Sequence, residues 1–203
     1  MKNENSFKTT ITKEEITLLP RTKFCGEIIY IDTLDAFNEF FPLLENHTLL
    51  GFDTETKPAF KKGVINEVSL LQLSTSDKAL LFRLNQIGLL KPLTKLLSDP
   101  KIIKAGVAVR DDISALNRLS KFTPGGFIDL QKLVKDYGIE DNGLKKLAAN
   151  ILGFNISKRQ QTSNWEQEQL SLAQIEYAAT DAWICYEIYK VLKTIPVNHA
   201  DKN

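Results

Sequence analysis

Two acidic residues stand two positions apart in the apolar segment LLGFDTET, and they constrain the fold more than any other feature. Side chains alternate between the two faces of a β-strand, so a strand here directs Asp53 and Glu55 to the same side of a sheet. Neighbouring carboxylates in an apolar setting repel each other and lose hydration, which is costly unless a cation joins them. The segment therefore predicts a sheet that carries a divalent-metal site, although an N-cap or a solvated acid pair on an edge strand would show the same pattern.

Two further acidic residues lie in or beside apolar sequence. Asp112 directly follows the segment IIKAGVAVRD, which is largely apolar. Instead of binding a metal, it could be the N-cap of the next helix, and Asp111 could take that role equally well. The helical spacing from Asp112 to Leu116 and Leu119 places it on the inward side and favours Asp112 as the ligand. Asp181 lies in IEYAATDAW, among small and apolar residues that suit a buried helix approached closely by another element.

Asp181 belongs to the most clearly delimited helix of the sequence. Ser171 and Gln174 have the S-x-x-Q spacing of a capping box, and the helix continues until Pro196 blocks it. Tyr177 and Asp181 then stand one turn apart on one face. Each alone has an ordinary explanation, a half-buried packing tyrosine and a solvated aspartate, but the pairing favours a functional site.

The order of the predicted elements indicates an α/β domain with a mixed sheet. Strands are predicted over EIIYI, LLGFDTET, VSLLQLST, KALLFRL and IIKAGVAV, and helices over LDAFNEFFPLLEN, IGLLKPLTKLLSD, DDISALNRLS and the segment that follows Ser171. Short connections between the second, third and fourth strands favour antiparallel neighbours. The alternation of strand and helix after them implies that helices flank the sheet.

Composition limits the classes of protein to consider. The 203 residues are 43% hydrophobic and 25% charged, which is typical of one globular domain with a substantial core. The net charge of +1 produces no global field that would attract nucleic acid or membranes, so any basic surface must be local. Cys25 and Cys185 match no metal-ligand spacing and are expected to be reduced, mostly buried thiols.

The ends of the sequence predict a cytoplasmic protein without membrane insertion. Residues 1–22 form a polar arm in which ITLLP packs as a short edge segment, residues 23–195 form the domain, and residues 196–203 form a tail. The N-terminus has no apolar leader, and no run of roughly 18 apolar residues occurs.

Taken in order, three segments resemble a known enzyme family. FDTET, KAGVAVRDDISAL and YAATDAW are similar to the three motifs of the DEDDy 3′-5′ exonucleases, which belong to the ribonuclease-H-like, DnaQ-type superfamily. The resemblance extends over about residues 25 to 193. It implies a ribonuclease-H-like mixed β-sheet flanked by helices, with the five motif residues in the catalytic site: Asp53, Glu55, Asp112, Tyr177 and Asp181. The related DEDDh group has a histidine where this chain has Glu176, so the tyrosine version applies.

The resemblance also implies a mechanism with two divalent cations, Mg²⁺ or Mn²⁺. Asp53 would bridge the two ions, Glu55 and Asp181 would complete the shell of one, and Asp112 would serve the other through water. The hydroxyl of Tyr177 would orient the attacking water. An unperturbed phenol has a pKa of about 10, so Tyr177 is not assigned as the general base.

Two branches of the family compete for the substrate. SNW and YAATDA resemble the Werner syndrome exonuclease domain. This resemblance favours DNA with a single-stranded or recessed 3′ end as the substrate. Ribonuclease-D-like trimming of RNA 3′ ends is the alternative, and a catalytically silent nucleic-acid-binding module is a third. Nothing in the motifs provides or excludes a partner for the 2′-hydroxyl that distinguishes the two sugars, and the sequence does not show whether a separate helicase acts with the chain.

Candidate substrate contacts lie around the motifs. Two basic clusters could bind phosphates or could form ordinary solvated surface: Lys57, Lys61 and Lys62, and Lys145, Lys146, Lys158 and Arg159. Phe60 and Trp165 could stack on a terminal base, whereas Trp183 fits better in the core. Gln72 resembles a residue that lies near the substrate edge in relatives.

Overall fold

The molecule is built on one six-stranded sheet with helices on both faces. The structure is a computed structural model that describes residues 7–59, 61, 63 and 65–196. The strands are β1 (Glu27–Ile31), β2 (Leu49–Thr56), β3 (Val68–Ser74), β4 (Lys78–Phe82), β5 (Ile103–Gly106) and β6 (Phe127–Asp129). The helices are α1 (Lys13–Leu18), α2 (Leu34–Phe40), α3 (Leu84–Ile87), α4 (Lys91–Ser98), α5 (Val109–Leu119), α6 (Leu130–Leu133), α7 (Leu144–Leu147) and α8 (Leu172–Thr194). Short 3₁₀ turns cover Phe41–Leu44 and Val134–Tyr137, and a π-helical turn covers Ala148–Leu152.

The sheet is mixed, as the sequence predicts. Its strand order is β1-β4-β3-β2-β5-β6. Strand β3 runs antiparallel to both of its neighbours, and the other adjacent pairs are parallel. Every residue of β3 is buried, because this central strand is covered on both faces.

The two faces of the sheet are covered by different helices. On one face, α2, α4 and α5 pack against a core that includes Phe37, Leu93 and Leu116. On the other face, α8 crosses the sheet and packs through residues such as Ala178 and Ile184. The predicted capping box of Ser171 and Gln174 is present, and it sets where α8 begins. Among the described residues, none of the helices combines the length and the apolar character that a membrane crossing requires.

The segment from β5 to α5 differs from the prediction. The strand ends at Gly106, and Ala108 adopts a left-handed conformation with φ +56°. Helix α5 therefore begins at Val109, earlier than predicted, and has Ala108 as its N-cap without a side-chain cap. The expectation that Asp111 or Asp112 caps this helix is wrong, because both lie inside its first turn. The three-residue strand β6 was not predicted.

The described part of the N-terminal arm is folded onto the domain. Helix α1 starts with a capping box between Thr12 and Glu15, and the side chains of Ile11 and Ile16 pack against Ala149. This is a helix with buried anchors where the sequence suggested a loose polar arm. The two cysteines are unpaired, but only Cys185 is buried, since Cys25 is exposed.

Candidate active site

Three predicted ligands converge between β2 and α8. Asp53 and Glu55 project from β2, and Asp181 projects from α8; one carboxylate oxygen of each lies within 4.8 Å of the others. Glu55 and Asp181 are buried and Asp53 is partly buried. The structure therefore brings together side chains that are more than 120 positions apart in the sequence.

A close backbone contact permits this convergence. A Cβ atom placed on Gly51 would lie 1.9 Å from the carbonyl oxygen of Ala182. Only glycine therefore allows the backbone of α8 to rest on β2 at this point. Because Asp181 directly precedes Ala182, the contact fixes the distance of its carboxylate from those of Asp53 and Glu55.

Asp112 lies beside this group of three rather than within it. It occupies the first turn of α5, and its Oδ1 accepts a hydrogen bond of 2.5 Å from the hydroxyl of Thr54 on β2. Its charge nevertheless raises the pKa of both Asp53 and Glu55, which places it in the same electrostatic environment. Thr54 gave no signal in the sequence beyond its position between two acids.

The left-handed turn that positions Asp112 is held by a residue that the sequence analysis missed. Asp129, at the end of β6, accepts a hydrogen bond of 3.1 Å from the amide of Ala108 and one of 3.0 Å from the amide of Gln131. Alanine rarely adopts a positive φ, so this hydrogen bond supports a strained turn. Asp129 thus stabilises the start of α5 and with it the orientation of Asp112.

The four acids have raised pKa values because burial makes their charged forms costly, and repulsion between the acids adds to this cost for Asp53 and Glu55. Burial, followed by repulsion from Asp181 and Asp112, raises the pKa of Asp53 well above its usual range. Burial and repulsion from Asp53 raise the pKa of Glu55 to about 10. Burial raises the pKa of Asp112 to about 6 and that of Asp181 to about 7. An all-oxygen set of buried carboxylates of this kind fits hard divalent cations such as Mg²⁺ or Mn²⁺.

Tyr177 completes the group as a hydrogen-bond donor. It is 8% exposed and lies one turn before Asp181 on α8. Burial, with repulsion from Asp181 and Glu55, raises the pKa of its hydroxyl far above the normal value, so it stays protonated. A protonated phenol can orient a water molecule or a phosphate oxygen but cannot accept the proton of the attacking water.

Trp165 does not have the predicted role. The sequence suggested that it stacks on a terminal base, but its side chain is completely buried and packs against Tyr177, with ring centroids 6.1 Å apart. A ring without an exposed face cannot stack on substrate. Arg83 is also fully buried and holds the segment that follows Trp165, since it donates to the carbonyl oxygens of Gln167, at 2.6 Å, and Glu168, at 3.4 Å.

The other predicted substrate contacts occupy different environments. Lys57 forms an ion pair of 2.9 Å with Glu166. Gln72 is fully buried opposite Asp53 in the β2–β3 register, and its amide atoms have no partner among the described residues. This makes Gln72 a neighbour of a candidate ligand and not an exposed contact. Lys158 and Arg159 are exposed on the wall of a cleft next to Tyr177. Phe60 and Lys62 lie outside the described residues.

Comparison with known proteins identifies the family. The family model described as 3′-5′ exonuclease matches residues 28–195, a range that contains all four acids and Tyr177. The chain belongs to the 3′-5′ exonuclease family. Its sheet and helices, together with structural neighbours among exonuclease domains, correspond to the ribonuclease-H-like fold that the motifs predict.

Relatives of this chain come from both branches considered above. It is 33% identical over 178 residues to the ribonuclease D of Gluconacetobacter diazotrophicus, and the matched region covers 86% of this chain and 45% of that protein. It is 29% identical over 202 residues to the bifunctional 3′-5′ exonuclease/ATP-dependent helicase WRN of Mus musculus, covering 91% of this chain and 14% of that protein. The chain thus spans less than half of the length of either curated relative. Among solved structures, the Nibbler EXO domain of Aedes aegypti superimposes with a TM-score of 0.75 at 27% identity, covering 85% of this chain and 91% of that one.

Proposed function

We propose that this exonuclease hydrolyses the terminal phosphodiester bond at the 3′ end of a nucleic acid with two divalent cations and releases nucleoside 5′-monophosphates. The observation that carries the proposal is the convergence of Asp53, Glu55 and Asp181 within 4.8 Å, with Asp112 beside them. Carboxylates held this close are tolerated when cations neutralise them. Family membership supports the 3′-to-5′ direction of the reaction.

The roles of the side chains follow from their positions. Asp53 lies in the group with Glu55 and Asp181, and its neighbour Thr54 is hydrogen-bonded to Asp112, so Asp53 would contribute oxygen ligands to both ion positions. Glu55 and Asp181 would share one position with it, and Asp112 would serve the other. When bound, the cations supply charge neutralisation for the phosphate and acidify water. The hydroxyl of Tyr177 would donate a hydrogen bond to the attacking water and so orient this water towards the scissile phosphate.

DNA is the proposed substrate, with an accessible single-stranded or recessed 3′ end. The support is the resemblance of SNW and YAATDA to the Werner exonuclease domain and the identity with the mouse exonuclease/helicase over almost the whole chain. The similar identity with a ribonuclease D makes RNA 3′-end trimming the second candidate. Discrimination between the two sugars depends on a partner for the 2′-hydroxyl.

The test uses DNA and RNA oligonucleotides of one sequence, labelled at the 5′ end and separated on a denaturing gel. With Mg²⁺ or Mn²⁺ we expect a ladder that shortens from the 3′ end, with DNA degraded at least as fast as RNA, and no ladder in the presence of chelator. Asp181→Asn serves as the control for contaminating nuclease, because it keeps the shape of the side chain but removes a ligand charge. A strong preference for RNA would transfer the assignment to the ribonuclease D type, and a fully active Asp181→Asn variant would refute the site.

A further inference from the structure

A basic cleft opens next to the carboxylates. It has a volume of about 640 Å³, and its walls are the N-terminal segment 17–23, Lys145 of α7, the segment 155–160 and one face of α8. Pockets that bind small ligands have volumes of roughly 300–1,000 Å³, so the cleft is large enough for a nucleotide unit. Tyr177 and Thr180 form part of its lining, which makes the cleft continuous with the catalytic group.

The cleft concentrates positive charge. Five cationic side chains line it, Arg21, Lys23, Lys145, Lys158 and Arg159, against one acidic side chain, Glu176. Lys23 is paired with Glu176 at 2.6 Å. Within the part of the chain that the structure describes, the other four cations have no carboxylate within 4.0 Å. In a chain with a net charge of +1 this is a strong local excess, and such clefts concentrate anions.

The N-terminal wall is fixed to the domain by backbone hydrogen bonds. The amide of Thr22 donates to the carbonyl of Asn155 at 3.2 Å, and the amide of Asn155 donates to the carbonyl of Pro20 at 3.0 Å. The amide of Phe24 donates to the hydroxyl of Thr180 at 3.0 Å. These bonds hold the backbone around Arg21 in place in the cleft that Lys158 and Arg159 also line. Arg21 lies before residue 28, where the match to the family model begins.

The number of positively charged side chains without a carboxylate partner indicates what the cleft binds. In a 3′-5′ exonuclease the terminal nucleotide brings one phosphate, the scissile one, and Asp53, Glu55 and Asp181 would hold the divalent ions that neutralise it. Four further unpaired positive charges call for further phosphates, and only the strand on the 5′ side of the scissile bond supplies them. Tyr177, one turn before Asp181 on α8, lines the cleft together with Lys158, so the basic wall begins next to the carboxylates.

We propose that the basic cleft binds the backbone phosphates of the strand 5′ of the scissile bond, with Arg21 of the N-terminal segment as one of the phosphate ligands. The N-terminal segment is then part of the substrate-binding surface of this exonuclease. The inference rests on the proposed function, because it takes the position of the scissile phosphate from the carboxylate group.

The test measures binding of fluorescein-labelled single-stranded DNA in Ca²⁺ by anisotropy at several salt concentrations, with a gel to verify that the strand stays intact. For Arg21→Ala we expect Kd for a dodecamer to rise about three- to tenfold. The slope of log K against log salt should become shallower by about 0.7, the value for one lost phosphate contact on a single strand. Arg21→Lys keeps the charge and should retain most of the affinity. Arg118→Ala removes an exposed arginine from α5, across the sheet, and should change neither quantity.

Strand length provides the second readout. The loss caused by Arg21→Ala should be large for the dodecamer and small for a dinucleotide without a 5′-phosphate, whose single phosphate is the scissile one. Lys145→Ala, which changes another wall of the cleft, should show the same dependence on strand length. If Arg21→Ala melts at a lower temperature than the wild type, Lys145→Ala is the variant that tests the proposal. Unchanged Kd and slope in both variants, or equal losses for the two lengths, would overturn the proposal. A wild-type protein that binds the dodecamer through Arg21 but cleaves no strand with Mg²⁺ or Mn²⁺ would refute the proposed function and leave the cleft in place.

Discussion

Replacing Glu55 with glutamine should destroy the catalytic site and stabilise the metal-free protein. Burial and repulsion from Asp53 raise the pKa of Glu55 from 4.5 to about 10 in the folded state. Between these two values the folded protein holds a proton that the unfolded chain has released, so the free energy of unfolding falls as the pH rises. Glutamine has nearly the same shape as a protonated glutamate and requires no proton uptake.

The magnitude follows from the pH interval. At about pH 7.5 the wild-type protein is roughly three pH units above the unfolded-state pKa, and each unit corresponds to about 1.36 kcal/mol. The variant should therefore be more stable by on the order of 2–4 kcal/mol. For a chain of this length 1 kcal/mol shifts Tm by about 2–4 °C, so Tm should rise by roughly 5–15 °C. At about pH 4.5 the gain should almost vanish, because Glu55 then takes up protons in both states.

Thermal unfolding in chelator at both pH values measures this difference. Glu39→Gln, which changes an exposed glutamate on α2, is the matched control and should leave Tm almost unchanged. Addition of Mg²⁺ or Mn²⁺ should raise Tm of the wild type more than that of Glu55→Gln, since the variant has lost a charged ligand. A gain that is equal at the two pH values, or a loss of stability at about pH 7.5, would refute the electrostatic account of the site.

Three further substitutions test other parts of the site. Asp53→Ala should abolish strand cleavage while the protein stays folded, which cleavage gels and circular dichroism together can establish; cleavage at the wild-type rate would remove Asp53 from the mechanism. Tyr177→Phe should lower kcat roughly ten- to a thousandfold with little change in Tm, whereas an unchanged kcat with a large fall in Tm would make the tyrosine structural. Gly51→Ala should cost roughly 1–3 kcal/mol of stability and raise the Mg²⁺ concentration needed for half-maximal activity, because its Cβ displaces α8 from β2; wild-type metal dependence would contradict this.

Local patterns were enough to predict the elements that carry the acids. The period of two in LLGFDTET predicted that Asp53 and Glu55 share one face of a strand, and they do. The capping box at Ser171 and the block at Pro196 predicted both ends of α8, which covers Leu172–Thr194. In each case the signal lies within a few residues of the structure that it determines.

Long-range contacts determine the features that the sequence did not reveal. Helix α5 begins at Val109 because Asp129, on a different strand, stabilises a left-handed alanine. Trp165 is buried because it packs against Tyr177 of α8 in a core cluster that also contains Leu70 of β3. The arm folds onto the domain partly because the amide of Ile11 donates to the carboxylate of Asp141. None of these partners can be identified from the spacing of residues along one segment.

The contact between Gly51 and Ala182 sets the gap between the proposed metal ligands through main-chain atoms. Three of the four proposed ligands are divided between β2 and α8, and the gap between the two elements is set where one backbone touches the other. Mg²⁺ demands near-octahedral coordination at about 2.0–2.1 Å, whereas Ca²⁺ accepts looser arrangements at about 2.3–2.6 Å. A gap fixed by main-chain atoms cannot widen as easily as one bridged by long side chains. We therefore expect the residue at position 51 to influence which divalent cation binds as much as the acids themselves do.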